Sequence, residues 1–177
     1  MRLLGLSTET HDSGIALLED GHPTDILEEE RLNREKHTRE FPRLSLAALF
    51  DDERRIGAID AVTTCWDPSL LRRSLISAVC SNLPASLALM MPASHPTQDS
   101  GIVVLNYWLR KGLRRQFPSQ DLPPLINVAH HDAHAAIYFV SPFQDATIIV
   151  MDGYGDESAG TKLARARSAT APFLRRP

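Results

Sequence analysis

The chain has 177 residues, 43% of them hydrophobic and 23% charged, which is the balance of a globular domain with its own core and not of a disordered or fibrous chain. Its formal charge of −3 is uneven: residues 161–177 hold Lys162, Arg165, Arg167, Arg175 and Arg176 and no acid, leaving 14 basic against 22 acidic side chains in residues 1–160, a net of −8. An acidic body argues against a nucleic-acid partner, whose phosphates need neutralising, and the early polar turn of MRLLGLSTETHDSG together with the short, proline-broken stretch Leu83 to Pro92 argues against a signal peptide or a membrane span.

A soluble, cytoplasmic protein is therefore expected. Cys65 and Cys80 form neither a metal-type pair nor a disulfide framework and read as free thiols in a reducing compartment.

In chain order, residues 2–7 (RLLGLS) predict a short buried strand and GIALLEDG a second, ending in an Asp20-Gly21 turn. Residues 24–30 (TDILEEE) predict a third, so the chain opens as a β-meander. A charged stretch, EEERLNREKHTREFP, breaks at Pro42, and Leu44 to Phe50 reads as helical. The β-branched run 59–65 (IDAVTTC) predicts a fourth strand, and Asp67-Pro68 opens an amphipathic helix to about Cys80. Residues 81–100, rich in Pro, Ser and Met, are expected to form a loop or insertion. A basic amphipathic helix follows over Ile102 to Phe117, then a strand over 125–129 (LINVA) and a helical pattern in HHDAHAAIYFV. The unbroken apolar run of 146–153 (ATIIVMDG) predicts a strand buried on both faces.

Three meandering strands followed by strands reached through helices predict an α/β fold: a mixed sheet with helices on both faces, as in ribonuclease H-like and actin-like ATPase subdomains. Residues 1–145 then form a first actin-like subdomain, and 146–160 the first strand and phosphate-loop-like turn of an incomplete second one. Residues 161–177 lack a periodic apolar face, and strand 146–153 finds no downstream partner there. They are read as an unstructured basic tail from out-of-frame translation of a GC-rich gene, with a solvated tail and an interaction peptide as alternatives.

Four segments carry candidate chemistry. In His130-His131-Asp132-Ala133-His134, His130 and His134 lie four apart and share a helix face, so both imidazoles can meet one ion; His131 with His134 is the poorer pair. Asp152, at the end of the next strand, is the natural carboxylate to join them. Asp152-Gly153-Tyr154-Gly155 allows a tight turn in which Gly153 and Gly155 bring backbone amides close to phosphate oxygens. The loop Thr8-Glu9-Thr10-His11-Asp12-Ser13-Gly14 occupies the place where actin-like proteins cradle phosphates. There Ser13 is a candidate nucleotide contact and His11 a candidate base, the alternative being a polar hairpin loop with local turn bonds. The run Glu28-Glu29-Glu30-Arg31 with Arg34, Lys36 and His37 reads as a solvated face unless Lys36 or Arg31 turns toward an anionic acyl-adenylate.

Together these segments resemble the O-carbamoyltransferases of nodulation-factor and antibiotic biosynthesis. GLSTETHDSGIALLEDG resembles their first phosphate-loop hairpin, EEERLNREKHTREFP their EEER-F-x-R-x-KH-x-x-x-FP stretch, and HHDAHAA and VMDGYGDES their HHxAHA and DGxGD segments. The resemblance implies an enzyme whose C-terminal domain makes carbamoyl-adenylate from carbamoyl phosphate and ATP. Its N-terminal actin-like domain then passes the carbamoyl group to a hydroxyl of a small acceptor. It further implies His130, His134 and Asp152 as ligands of iron or another divalent metal, His11 as the base with Asp12 beside it as orienter, and Lys36 as a contact to the carbamoyl-adenylate. That family's chains are several times longer, so this one is expected to be an N-terminal piece that is inactive alone. The rival readings are the tRNA threonylcarbamoyl-transferring branch, a non-catalytic metal- or nucleotide-binding module, and a pseudogene product.

Overall fold

A computed structural model describes residues 1–8, 12–50, 53–84, 104–152 and 160–167; within these, residues 53–55, 75, 78 and 160–167 are described in backbone only. The opening meander comprises β1 (Arg2–Ser7), β2 (Gly14–Glu19) and β3 (His22–Glu28), paired antiparallel. Asp20 and Gly21 turn between β2 and β3 with φ of 50° and 83°, the left-handed pair that an Asp-Gly hairpin turn requires. At Gly14 a side chain is excluded, because an added Cβ would stand 2.8 Å from the Leu27 carbonyl oxygen of the neighbouring strand.

The chain continues through α1 (Glu29–Asn33), α2 (Arg43–Leu49), a 3-10 turn at Glu53–Ala58, β4 (Ala61–Thr64) and α3 (Pro68–Ser81). After the segment outside the described residues come α4 (Leu105–Gln116), β5 (Leu125–Asn127), α5 (His130–Ala135) and a 3-10 turn at Ala136–Val140. Strand β4 joins β1 in parallel and β5 joins β4 in parallel, so the sheet order is β3-β2-β1-β4-β5. The architecture is thus α/β with a mixed five-stranded sheet, as expected. No helix among the described residues is long and apolar enough to cross a membrane.

Alternation along the strands decides the layers. Leu4 and Leu6 pair with Leu17 and Ile15 on β2, and Leu4 with Val62 on β4. These side chains share one face and are buried with Leu46 and Leu49 of α2, Leu71 of α3, and Leu105, Leu109 and Leu113 of α4. Phe50 and Phe117 close this core edge to face, centroids 5.6 Å apart. Phe41, from the Phe-Pro break, lies against α4 where Gly112 leaves room; a Cβ there would stand 2.5 Å from its ring.

The opposite face is built of small side chains and meets the short helix α5. It presents Gly5, Ser7, Gly14, Ala16, Thr63 and Cys65, which line a cavity of about 480 Å³ met by Ala133 of α5 and by Ala136. Side chains this small supply little apolar area to hold a helix, and among the described residues the long helices all join the other face.

Two expectations change. Strand β6 (Asp145–Asp152) is not buried on both faces: Thr147, Ile149 and Met151 point outward and only Val150 is fully buried. It also has a partner, since β7 (Gly160–Arg167) pairs antiparallel with it from Asp145↔Arg167 to Asp152↔Gly160. Residues 160–167 are therefore strand rather than unstructured tail. Their run Thr-Lys-Leu-Ala-Arg-Ala-Arg holds three cations in seven residues and so does not read as a buried partner strand. Residues 168–177 lie outside the described residues, as do 85–100 of the loop expected over 81–100, whose first residue, Ser81, ends α3.

Candidate metal centre and the loops beside the sheet

Strand β5 delivers the chain to α5, and the histidine pair sits at that junction. His130 is held from three sides. Its ring stacks on Trp66 with centroids 4.0 Å apart and planes 17° apart. Its Nδ1 lies 3.2 Å from the Cys65 carbonyl oxygen. A carbonyl only accepts, so Nδ1 donates to it and the ring is turned with Nε2 away from the sheet. Nε2 then meets Asp152 Oδ2 at 2.8 Å and His134 Nε2 at 3.1 Å, while His134 Nε2 lies 3.3 Å from Asp152 Oδ2.

One helical turn thus brings His130 and His134 together, and the end of β6 brings Asp152 to them. The cavity beside the three is about 430 Å³ and is walled by Ile137, Ile148 and Val150. Two imidazole nitrogens and a carboxylate oxygen converging at these distances form a donor set that suits a divalent cation such as zinc or iron. The Cys65 carbonyl is the kind of outer partner that fixes a ligand histidine's tautomer. His131 does not join them: it is buried, and among the described residues its Nε2 has no hydrogen-bond partner.

The loop between β1 and β2 is clamped to the segment after α1 by buried polar groups. Ser13 N donates to the Thr38 carbonyl at 3.0 Å, Thr8 Oγ1 donates to the Arg39 carbonyl at 3.0 Å, and Glu29 N donates to the Ser13 carbonyl at 2.9 Å. Ser13 is 1% exposed, and its Oγ lies within hydrogen-bond distance of the Ser7 and Glu40 carbonyls. Its hydroxyl is turned inward, toward those backbone carbonyls.

Asp12 Oδ1 lies 2.8 Å from His37 Nδ1. His11, Gly153 and Gly155, read as base and phosphate turn, lie outside the described residues. Lys36 is exposed in the turn before His37.

Sequence reasoning missed one residue. Glu29 sits in the acidic run read as a solvated face, yet it is 2% exposed. Its carboxylate accepts from Leu44 N at 2.9 Å, Ser45 N at 2.8 Å and Ser45 Oγ at 2.7 Å, capping the N-terminus of α2 from the side. The only sequence signal was Pro42, which marks a helix start lacking an acidic first turn of its own.

Comparisons with known proteins agree on a distant kinship. No family model matches the chain. It is 30% identical over 158 residues to the uncharacterized protein sll1178 of Synechocystis sp., a match covering 87% of this chain and 26% of that protein. It is 29% identical over 161 residues to the nodulation protein NolNO of Sinorhizobium fredii, covering 87% of this chain and 21% of that one. The chain thus spans about a quarter of the length of the curated relatives it matches, and it is a distant homologue of a nodulation protein.

Proposed function

We propose that this chain is the N-terminal, actin-like portion of an O-carbamoyltransferase. In this reading a carbamoyl group passes from carbamoyl-adenylate, made from carbamoyl phosphate and ATP, to a hydroxyl of a small acceptor. The observation that carries the reading is the convergence of His130, His134 and Asp152 within 3.3 Å of one another at the end of a mixed sheet. Distant homology to a nodulation protein supports it, because the motif resemblance is to enzymes that include those of nodulation-factor biosynthesis.

His130, His134 and Asp152 would hold a divalent cation, iron by the family resemblance. Acyl transfer builds negative charge on oxygen, and a cation supplies charge stabilisation there. The protein's own part is orientation. Trp66 and the Cys65 carbonyl fix the His130 ring before any ligand arrives, so little reorganisation remains to be done on binding. Lys36, exposed beside the β1–β2 loop, is assigned to the anionic adenylate.

Metal analysis tests this directly. The purified chain, dialysed against Fe2+ or Co2+, should retain a stoichiometric ion and bind carbamoyl-adenylate in a titration. The His130→Ala/His134→Ala double variant should lose the ion. Equal metal content in both proteins would remove the site, and a chain that binds metal but no carbamoyl-adenylate would remove the carbamoyl assignment.

A further inference from the structure

Asp12 and His37 belong to two different loops, and both adopt left-handed backbone, with φ of 52° and 56°. Residues other than glycine hold that conformation when their surroundings enforce it. The enforcing contacts are on either side. Ser13 N bonds the Thr38 carbonyl at 3.0 Å, Ser13 and Thr38 are 1% and 2% exposed, and Asn33 Nδ2 bonds Thr38 Oγ1 at 3.2 Å. The His37 amide is held in turn by Glu30 Oε2 at 3.1 Å. Buried neighbours thus set the positions of an exposed pair.

In that pair the Asp12 carboxylate accepts from His37 Nδ1 at 2.8 Å. The imidazole proton is then on Nδ1, and the lone pair is on Nε2 of a ring that is 70% exposed. A histidine oriented by a carboxylate in this way is the base-and-orienter half of a nucleophile-activating constellation. Lys36, the residue assigned to the adenylate, is its chain neighbour.

We infer that His37, oriented by Asp12, takes the part of proton acceptor for the acceptor hydroxyl that the resemblance gives to His11, a role that rests on the carbamoyl-transfer reading above. As the hydroxyl oxygen bonds to the carbamoyl carbon, its proton moves to His37 Nε2. The bond from that carbon to the adenylate phosphate oxygen breaks, AMP leaves with the electron pair, and the imidazolium returns its proton to water. Asp12 is then a positioning residue.

Diethyl pyrocarbonate acylates a neutral imidazole at its lone pair and reads out this arrangement in the chain as it stands. Peptide mass spectrometry should find His37 modified faster than His22, an exposed histidine at the start of β3. At a pH high enough that both rings are neutral, Asp12→Asn should slow His37 severalfold while leaving His22 unchanged, because the ring loses the carboxylate that holds the proton on Nδ1 and the lone pair on Nε2. Asp12→Ser serves as the second variant should the asparagine disturb the loop, and long-range 1H–15N correlation should show the Nδ1–H tautomer of His37 in the parent chain alone. Bound carbamoyl-adenylate should protect His37. A rate no greater than that of His22, or one indifferent to both Asp12 variants, overturns the inference whatever the chain binds. Carbamoyl-adenylate that binds without protecting His37 overturns the inference and leaves the function standing. Failure of carbamoyl-adenylate to bind removes the function and this role with it.

Discussion

Removing the Glu29 carboxylate would leave the amides of Leu44 and Ser45 and the Ser45 hydroxyl without an acceptor, in a place where Ser45 is 0% exposed. Unsatisfied buried donors cost far more than exposed ones, so Glu29→Ala should destabilise the fold by about 3 kcal/mol, and Glu29→Gln, which keeps one oxygen acceptor, by roughly half that. Urea midpoints at constant m-value check this. A loss for Glu29→Ala within the range of an ordinary surface substitution would mean that water replaces the carboxylate. The same contrast separates the candidate site residues. His130 and His134 were legible because helical periodicity alone places them on one face. The inward turn of Ser13 and the pairing of Asp12 with His37 were not, since they depend on carbonyls and a ring from a segment 25 or more residues away.

Helix α3 shows how an element's start is written locally. Asp67 accepts from Ser69 N at 2.8 Å, and Pro68 occupies the first turn, where its missing N–H costs nothing. Burial, the largest single influence, pushes the Asp67 carboxyl up. The Ser69 hydroxyl and amide, the Leu70 amide and Arg72 together outweigh it and hold the carboxyl below the ordinary value of 3.8. With the folded value below the unfolded one, the cap's contribution is present above that range and fades as pH falls through the folded value. Asp67→Ala should therefore cost about 1 kcal/mol at neutral pH and progressively less in acid. Denaturation curves at neutral and acidic pH test the sign, and a deficit that grows in acid would contradict the cap. Strand β6 is the opposite case: its apolar run looks like core, but its position beside β7 alone leaves alternate residues in solvent.

At the scale of the molecule, the β6–β7 ribbon and the turn after α5 expose Ile137, Phe143, Ile149 and Met151, at 69%, 63%, 61% and 78%. Among the described residues the ribbon pairs only with itself, and exposed apolar side chains on such a ribbon invite association. The chain should therefore self-associate at micromolar concentration, and Ile149→Lys should shift it toward monomer. Light scattering after gel filtration measures this; unchanged mass would show that this face is not the one that associates.

The sequence by itself determined the strand meander, the mixed α/β sheet, the helix starts at Asp67-Pro68 and His130, and the sharing of one face by His130 and His134. Each of these depends on residues within a few positions of one another, where alternation, turn chemistry and the helical repeat operate. Tertiary structure alone decided that the long helices gather on the Leu4–Leu6 face, that Glu29 is a buried cap, and that Asp12 meets His37. It alone supplied β6 with a partner in residues 160–167. Those outcomes depend on which surfaces meet across long separations in the chain, and short-range spacing holds no record of that.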